Sequence, residues 1–523
     1  MSSTPDAMSR AQPVGTVKLY SILAGIMIAT LLISLDVSII ATAIPSISTH
    51  FHVTTDIGWY GATYPLTMCA LQPISGKLSS LLSLRWTYLG FYGIFLLGSL
   101  ICGVATSSRM FVIGRAVAGA GGSGVVSGGL SVIALITAPQ QRPLFTGLVV
   151  SLYALGSVVA PIIGGALAEY TWRWCFLINL PTGAVTVVTL LLFFHPPPNP
   201  GIHRVAFIKQ LDLIGCALFI PSVIMVMLAL QWGGGEYPWH SATILGLFIG
   251  FAVTLAIFIV WECYMGDQAM VPFVLLRGRS TMLSIAFAWL FLGSFAIPVY
   301  YLPEWFQIVK SASPIRSGVM LLPSVCTQVF GSLVSGILAK YLRYYNPWLF
   351  IGSAFLSIAN GLYTTFTVSS MSASWIGYQI IQGLGCGFAA QIPLLTVQFV
   401  LKDRPRYVPV GIATVLFAQY FGSTVMQSIG GAIFQNELKR QLRQTSLDYQ
   451  QIEMLLNAGN SRVREVAVQA FPDQLADIIV AYNNAITPVF YLPVAGSALA
   501  FILTGGIPWF NTRPTQEGDV YVV

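Results

Sequence analysis

Fourteen apolar stretches, each close to or beyond the length a helix needs to cross a bilayer, fill most of this 523-residue chain. They fall at approximately 20–44, 57–76, 86–106, 109–135, 143–169, 174–195, 211–232, 241–264, 280–306, 315–340, 347–368, 371–398, 407–435 and 485–510. A helix needs about 20 apolar residues to span the hydrocarbon. The runs are continuous rather than alternating, which argues against a β-barrel. The pattern predicts an all-α membrane protein with fourteen transmembrane helices, and the lipid bilayer is its first partner. Charged residues are 8% of the chain and hydrophobic ones 55%, against about 25% charged in a soluble globular chain. A soluble enzyme, a disordered scaffold and a secreted disulfide mini-protein are thereby excluded. The apolar run from Leu19 is too long for a signal-peptide core, so it is expected to stay as the first span behind a cytosolic tail, 1–18.

Basic residues set the orientation. With the N-terminus in the cytosol, the inner segments hold Arg10, Lys18, Lys77, Arg85, Arg142, Arg204, Lys209, Arg277, Arg279, Lys340, Arg343, Lys402, Arg404, Arg406 and Arg513. The short outer loops hold only Arg109, Arg173, Lys310 and Arg316. An even number of spans with both ends inside follows. The net charge of +7 comes from bases scattered singly, not clustered as in nucleic-acid binders, so no nucleic-acid partner is expected. The seven cysteines form no CxxC pair, which gives neither a metal site nor a disulfide framework. The one sizeable segment between spans, 436–484, is expected to be a long outer loop. Apolar residues at Leu455, Leu456, Val463, Val466, Val468 and Phe471 predict amphipathic helices there, acting as a packed cap or as a substrate gate.

The chain repeats itself. Gly156–Leu167, GSVVAPIIGGAL, matches Gly422–Ile433, GSTVMQSIGGAI, at seven of twelve positions and an offset of 266. Arg115–Gly124, RAVAGAGGSG, and Gln379–Phe388, QIIQGLGCGF, correspond at an offset of 264. The fourth and fifth spans are thus counterparts of the twelfth and thirteenth. This predicts two six-helix bundles, 19–195 and 280–510, two inserted linker helices over 211–264, and a cytosolic C-terminal tail, 511–523. Tandem six-helix repeats of this kind are transporter architecture, with small-molecule substrate bound between the halves near mid-membrane.

Ionisable groups deep in a bilayer are costly and mark function. Asp36 lies eight residues from the outer end of its span and Arg115 six from the outer end of its own, which is roughly 12 Å and 9 Å deep at about 1.5 Å per residue. The two are placed to face one cavity and pair. Glu169, Asp212, Glu262 and Glu304 lie at span ends and read as interfacial or capping carboxylates. Pro298 and Pro303 stand just before Glu304 and loosen its helix, which makes it a cavity candidate. Gln328, Gln382 and Gln391, with Gln379, Gln419 and Asn360, put uncharged hydrogen-bonding groups into second-half spans, for packing or for substrate contact. Pro161 removes a backbone hydrogen bond; with Gly156, Gly164 and Gly165 it makes the fifth span a candidate hinge or sealed interface. GAGGSG at 119–124 satisfies G-x-G-x-x-G but lies inside an apolar helix, so close packing accounts for it and a dinucleotide does not. There is no P-loop and no HExxH, so neither direct ATP drive nor an enzyme is expected, and no cofactor or metal.

These segments resemble the major facilitator superfamily, and most of all its fungal fourteen-spanner drug:proton antiporter branch of efflux pumps. Leu35–Pro45, LDVSIIATAIP, is similar to the first-span motif, Arg115–Gly124 to the fourth-span motif and Gly156–Gly165 to the fifth-span antiporter motif. Trp172–Gly183, WRWCFLINLPTG, together with LDLIG at 211–215 and QWGGG at 231–235, resembles segments typical of the fourteen-spanners. The cytosolic loop motif after the second span is GKLSSLLSLR, 76–85, with Ser80 where the superfamily usually has Asp. Gly76, Lys77 and Arg85 are its remaining candidates, and Ala160 replaces the antiporter motif's usual Gly. The resemblance implies a major-facilitator fold and proton-coupled export of a drug, toxin or secondary metabolite by alternating access. Asp36 would exchange its proton with substrate under the control of Arg115, and the fifth-span motif would hold the halves together in one state. It further implies a monomer in the plasma membrane, driven by the proton gradient. A proton-coupled importer or vacuolar permease, for a siderophore or a basic amino acid, is the alternative on the same scaffold.

Overall fold

The computed structural model describes residues 15–509 apart from 54–55, 197–209, 235–236, 340, 343 and 458–462. Arg10, Arg204, Lys209, Lys340, Arg343, Arg462, Arg513, Gly235, most of the N-terminal tail and all of the C-terminal one lie outside the described residues, as does the Glu169 side chain. Six helices make up the first part of the chain: α1 (Thr16–Phe51), α2 (Ile57–Leu81), α3 (Leu84–Gly103), α4 (Ser108–Ile136), α5 (Arg142–Tyr170) and α6 (Asn179–Phe193). Two follow, α7 (Leu213–Trp232) and α8 (Ala242–Met265). The last six are α9 (Arg279–Ile308), α10 (Leu322–Leu338), α11 (Asn346–Tyr363), α12 (Ser372–Ala389), α13 (Val408–Leu442) and α14 (Tyr491–Thr504). Short helices prolong several of them, such as Ile392–Val400 after α12 and Leu475–Ile486 before α14. Local chemistry sets the starts: Ser107 and Ser241 accept the backbone N–H groups of Met110 and Ile244 as N-caps of α4 and α8.

Each of the fourteen apolar stretches is helical, but twelve helices among the described residues are long and apolar enough to cross a membrane. α2 and α11 are the two that fall short of that measure. α2 packs on α4 and α13, and α11 on α12 and α14. The polar groups that lower their hydropathy are turned inward: the tyrosines, Gln72 and Lys77 of α2 are buried, and so are Ser353 and Asn360 of α11, whose other face leaves Ile351 and Ile358 exposed.

The contacts repeat with a step of eight helices. α1 packs on α5 and α6, and α9 on α13 and α14; α4 packs on α2 and α3, and α12 on α10 and α11. The two sets meet through α2 against α13 and α5 against α10, which are themselves counterparts under the same step. α7 lies over the α2–α13 seam, where Phe219 meets Phe417 at 5.2 Å between ring centroids, and α8 packs on α7.

The expected long outer loop is shorter than its hydropathy suggests. α13 continues to Leu442 through Gln435, Asn436, Glu437 and Lys439, and a helix resumes at Leu475. Between them, the helices Tyr449–Asn457 and Val463–Ala470 bury Leu455 and Val463 in a core shared with Trp305 and Ile308 of α9, and Arg464 donates to the Ile308 carbonyl. Val468, in the same amphipathic pattern, is exposed.

Candidate functional site

Asp36 and Arg115 are in contact. Arg115 Nη1 donates to Asp36 Oδ2 at 2.6 Å, and the two side chains are 0% and 1% exposed. The same nitrogen donates to the Asp36 backbone oxygen at 3.2 Å, and Arg115 Nε to the Tyr60 carbonyl of α2 at 3.2 Å. The guanidinium lies over the rings of Tyr64, at 4.7 Å, and Phe176, at 5.8 Å. Its remaining nitrogen, Nη2, has no hydrogen-bond acceptor within reach, so the aromatic faces are its main company. The second carboxylate oxygen, Asp36 Oδ1, accepts from Asn179 Nδ2 at 3.1 Å, and the same amide nitrogen lies 3.1 Å from Ser99 Oγ. One buried charge pair thus ties α1 to α2, α3, α4 and α6. The sequence did not single out Asn179; its signal was its place in the WRWCFLINLPTG segment.

Such a pair is stable only while both charges and their hydrogen bonds are in place, because an unpaired charge is far more costly in a low dielectric. A proton delivered to Asp36 removes its charge and leaves Arg115 alone. The contacts among these helices therefore depend on the charge of both side chains.

The fifth-span motif frames the same site from α5. A Cβ at Gly156 would lie 2.9 Å from the Ser34 Cβ, and one at Gly164 would lie 2.4 Å from Thr42 Oγ1. Ser34 Oγ donates to the Tyr153 carbonyl. α5 thus touches α1 on both sides of Asp36. Gly165 has open space around it, and Pro161 lies inside the helix. Gly156 and Gly164 thus face α1. α5 also packs along the second half, on the short helix Pro314–Val319 and on α10; near its start a Cβ at Gly147 would lie 2.8 Å from Gln391 Oε1, and one at Gly336 of α10 would lie 2.9 Å from the Pro143 carbonyl oxygen.

The other candidates lie apart. Gln391 Nε2 donates to Ser335 Oγ at 2.8 Å and to the Ser332 carbonyl at 3.2 Å, next to Gly147, so it belongs to the seam between the halves. Gln382 Oε1 accepts from Tyr363 Oη at 2.6 Å, inside the second half. Gln328 is buried on α10, where its backbone oxygen closely faces Gly387 of α12. Glu304 is half-buried on α9, with Tyr300, Tyr301 and Tyr482 within electrostatic reach. Arg85 donates to the Leu191 carbonyl at 2.6 Å. Lys77 and Gly76 face the α2–α13 seam at the end the basic residues assign to the cytosol, where a Cβ on Gly76 would lie 2.5 Å from that of Ala413.

Residues 26–427 match the sequence profile of the Major Facilitator Superfamily. The chain is 44% identical over 508 residues to the MFS-type transporter poxA of Penicillium oxalicum, covering 95% of this chain and 89% of that one. It is 41% identical over 503 residues to the MFS-type efflux pump MFS1 of Arthroderma benhamiae, covering 95% and 92%. Among solved structures, a proton:xylose symporter of the superfamily shares the fold with a TM-score of 0.58 at 14% identity, over 95% of this chain and 98% of that one.

Proposed function

The chain belongs to the Major Facilitator Superfamily and is a multi-pass membrane transporter, not an enzyme; from that premise we propose that it exports small organic molecules in exchange for protons by alternating access. The cargo is a drug, toxin or secondary metabolite, and the fungal relative named an efflux pump supports that direction. The observation that carries the reading is the Asp36–Arg115 pair, fully buried and shared among five helices. Asp36 takes up a proton from the side of high proton concentration, Arg115 loses its partner, and the helices the pair holds are freed to rearrange. Return of the proton to the cytosol restores the pair.

The proposed architecture has all fourteen helices as spans, α2 and α11 included, their polar groups turned toward neighbouring helices. It has two six-helix halves, α7 and α8 as an inserted pair, and a monomer as the working unit. The proton gradient is the energy source and no cofactor takes part. The proposed address is the plasma membrane, with the vacuolar membrane as alternative, which fluorescence of a tagged chain in cells distinguishes.

A proton-coupled importer or vacuolar permease stays as the second reading because of Glu304, a half-buried carboxylate in the second half. Labelled cargo separates the two. In inside-out vesicles acidified within, an exporter accumulates an amphipathic dye and a protonophore abolishes the accumulation; proton-driven loss of preloaded lysine or ferric chelate, as an importer gives, or its accumulation in place of the dye, as a vacuolar permease gives, would replace the first reading by the second.

A further inference from the structure

Three charged side chains outside the ion pair are buried together where α2, α7 and α8 meet: Lys77, Asp212 and Glu262 are 4%, 3% and 5% exposed. Neither acid forms an ion pair with Lys77 among the described residues. All three instead grip one stretch of backbone, Gln268–Val271, in the connector that leaves α8 and leads through the short helix Phe273–Arg277 into α9. Lys77 Nζ donates to the Ala269 carbonyl at 2.6 Å and to the Gln268 carbonyl at 3.1 Å. Glu262 Oε1 accepts the Met270 N–H and Oε2 the Val271 N–H, both at 3.0 Å, and Asp212 Oδ2 also accepts the Met270 N–H at 3.0 Å. The peptide unit 269–270 therefore stands between the ammonium and two carboxylates, its C=O toward the cation and its N–H toward the anions. The Lys77 bond to the C=O polarises the peptide in the direction that strengthens what its N–H donates, and the two acids share that N–H.

The acids are themselves fixed. Asp212 Oδ1 accepts from Trp261 Nε1 of α8 at 2.7 Å and from the Gly215 N–H at 3.0 Å, and its backbone is held at φ 52°. That left-handed conformation is uncommon for a residue other than glycine and is kept where surroundings enforce it. Met270 and Ala269 are fully buried, with the Met270 sulfur 3.8 Å from Cys216 Sγ of α7.

The geometry points to Asp212 and Glu262 of the inserted helices as positioning residues of the transport cycle, holding the connector as a catch into which Lys77 of α2 fastens while the cytosolic end is shut. This rests on the alternating-access reading, and on it alone. Lys77 adjoins Gly76, the point of close approach between α2 and the start of α13. The connector runs on into α9, the first helix of the second half. When α2 leaves α13, Lys77 has either to release the connector or to pull it along. Ser80, which stands where the superfamily usually has an acid, is left to bond the Lys77 carbonyl of its own helix, and the catch is supplied from the inserted pair.

The test uses the full-length protein in nanodiscs, with spin labels at Leu82→Cys and Asp403→Cys on the exposed ends of α2 and of the turn before α13 and with the exposed native Cys263 and Cys326 replaced by Ser. Pulsed electron paramagnetic resonance then reads the distance across the cytosolic seam. Lys77→Met is expected to raise the long-distance population several-fold, Glu262→Gln to raise it about half as much because its amide oxygen still accepts one N–H, and Lys77→Arg to keep the parent distribution. Should Lys77→Met elute as an unfolded species, the folded Glu262→Gln and Asp212→Asn variants carry the test. Distributions unchanged in these variants, while the parent shifts on adding cargo and lowering the pH, would overturn the catch. No shift in the parent either would overturn the alternating-access reading instead.

Discussion

In the first half, Gly119 brings α4 so close to α2 that a Cβ there would lie 2.3 Å from the Tyr64 carbonyl oxygen; in the second half Gly383 brings α12 to α10, where the Ser324 oxygen would lie at 2.1 Å. Two residues on, Gly121 meets the backbone of Phe95 in α3, and Gly385 meets Gly352 and Leu356 in α11. The packing of the two halves is thus duplicated at these two pairs of glycines. The charge is not. Where the first half has Arg115 on Asp36, the second has Gln379, whose Nε2 donates to the Met320 carbonyl at 3.0 Å, and the buried polar contact beside it is the neutral pair Gln382–Tyr363. The duplicated glycines are what a six-helix bundle needs to close, and the unduplicated charge pair is where the proposed function has the proton act.

The largest expected effect comes from breaking that asymmetry on its charged side. Arg115→Met leaves Asp36 buried and unpaired and is expected to cost about 3–5 kcal/mol, read as a fall in melting temperature in detergent. The double variant Asp36→Leu, Arg115→Met should recover most of that loss and still not couple protons to cargo; a double variant as unstable as the single would show that the pair is needed for packing. Next in size are Gly119→Leu and Gly383→Leu, each expected near the upper end of the roughly 1–3 kcal/mol typical of overpacking. If only one of the two destabilises, the packing equivalence of the halves fails. Gln379→Ala should cost about 1 kcal/mol, the worth of an ordinary hydrogen bond, and leave proton flux unchanged, in contrast to any substitution of Arg115. Smallest is Arg440→Ala at the outer end of α13, whose bond to Glu437 is made with the arginine 64% exposed; its loss should be within about 0.5 kcal/mol, as for solvent-screened pairs.

The all-helical architecture was legible because lipid forces continuous apolar runs, and the approach of Asp36 to Arg115 was legible because helical rise converts sequence distance from a span end into depth. What the chain hid follows from the same physics. α13 outruns its apolar stretch because a helix can continue outside the bilayer with polar residues such as Glu437 and Lys439, where hydropathy no longer reports it. Asp212 does cap its helix, through the Gly215 N–H, as an end carboxylate is expected to; what stayed hidden is that it and Glu262 also hold the Met270 N–H, a backbone partner no side-chain pattern records. Asn179, which donates to Asp36 across 143 residues, carries no charge and had no depth argument of its own. The facing of Gly156 and Gly164 onto α1 rather than across the halves depends on helix rotation, which small residues alone leave open.

The central claim is that Asp36 carries the exchanged proton. Purified protein in proteoliposomes loaded with a pH-sensitive dye, given a pulse of a transported cargo with no imposed gradient, should show cargo-driven proton movement. Asp36→Asn, verified as folded by its elution profile, should exchange labelled for unlabelled cargo while moving no protons. Full cargo-driven proton flux through Asp36→Asn would contradict the account.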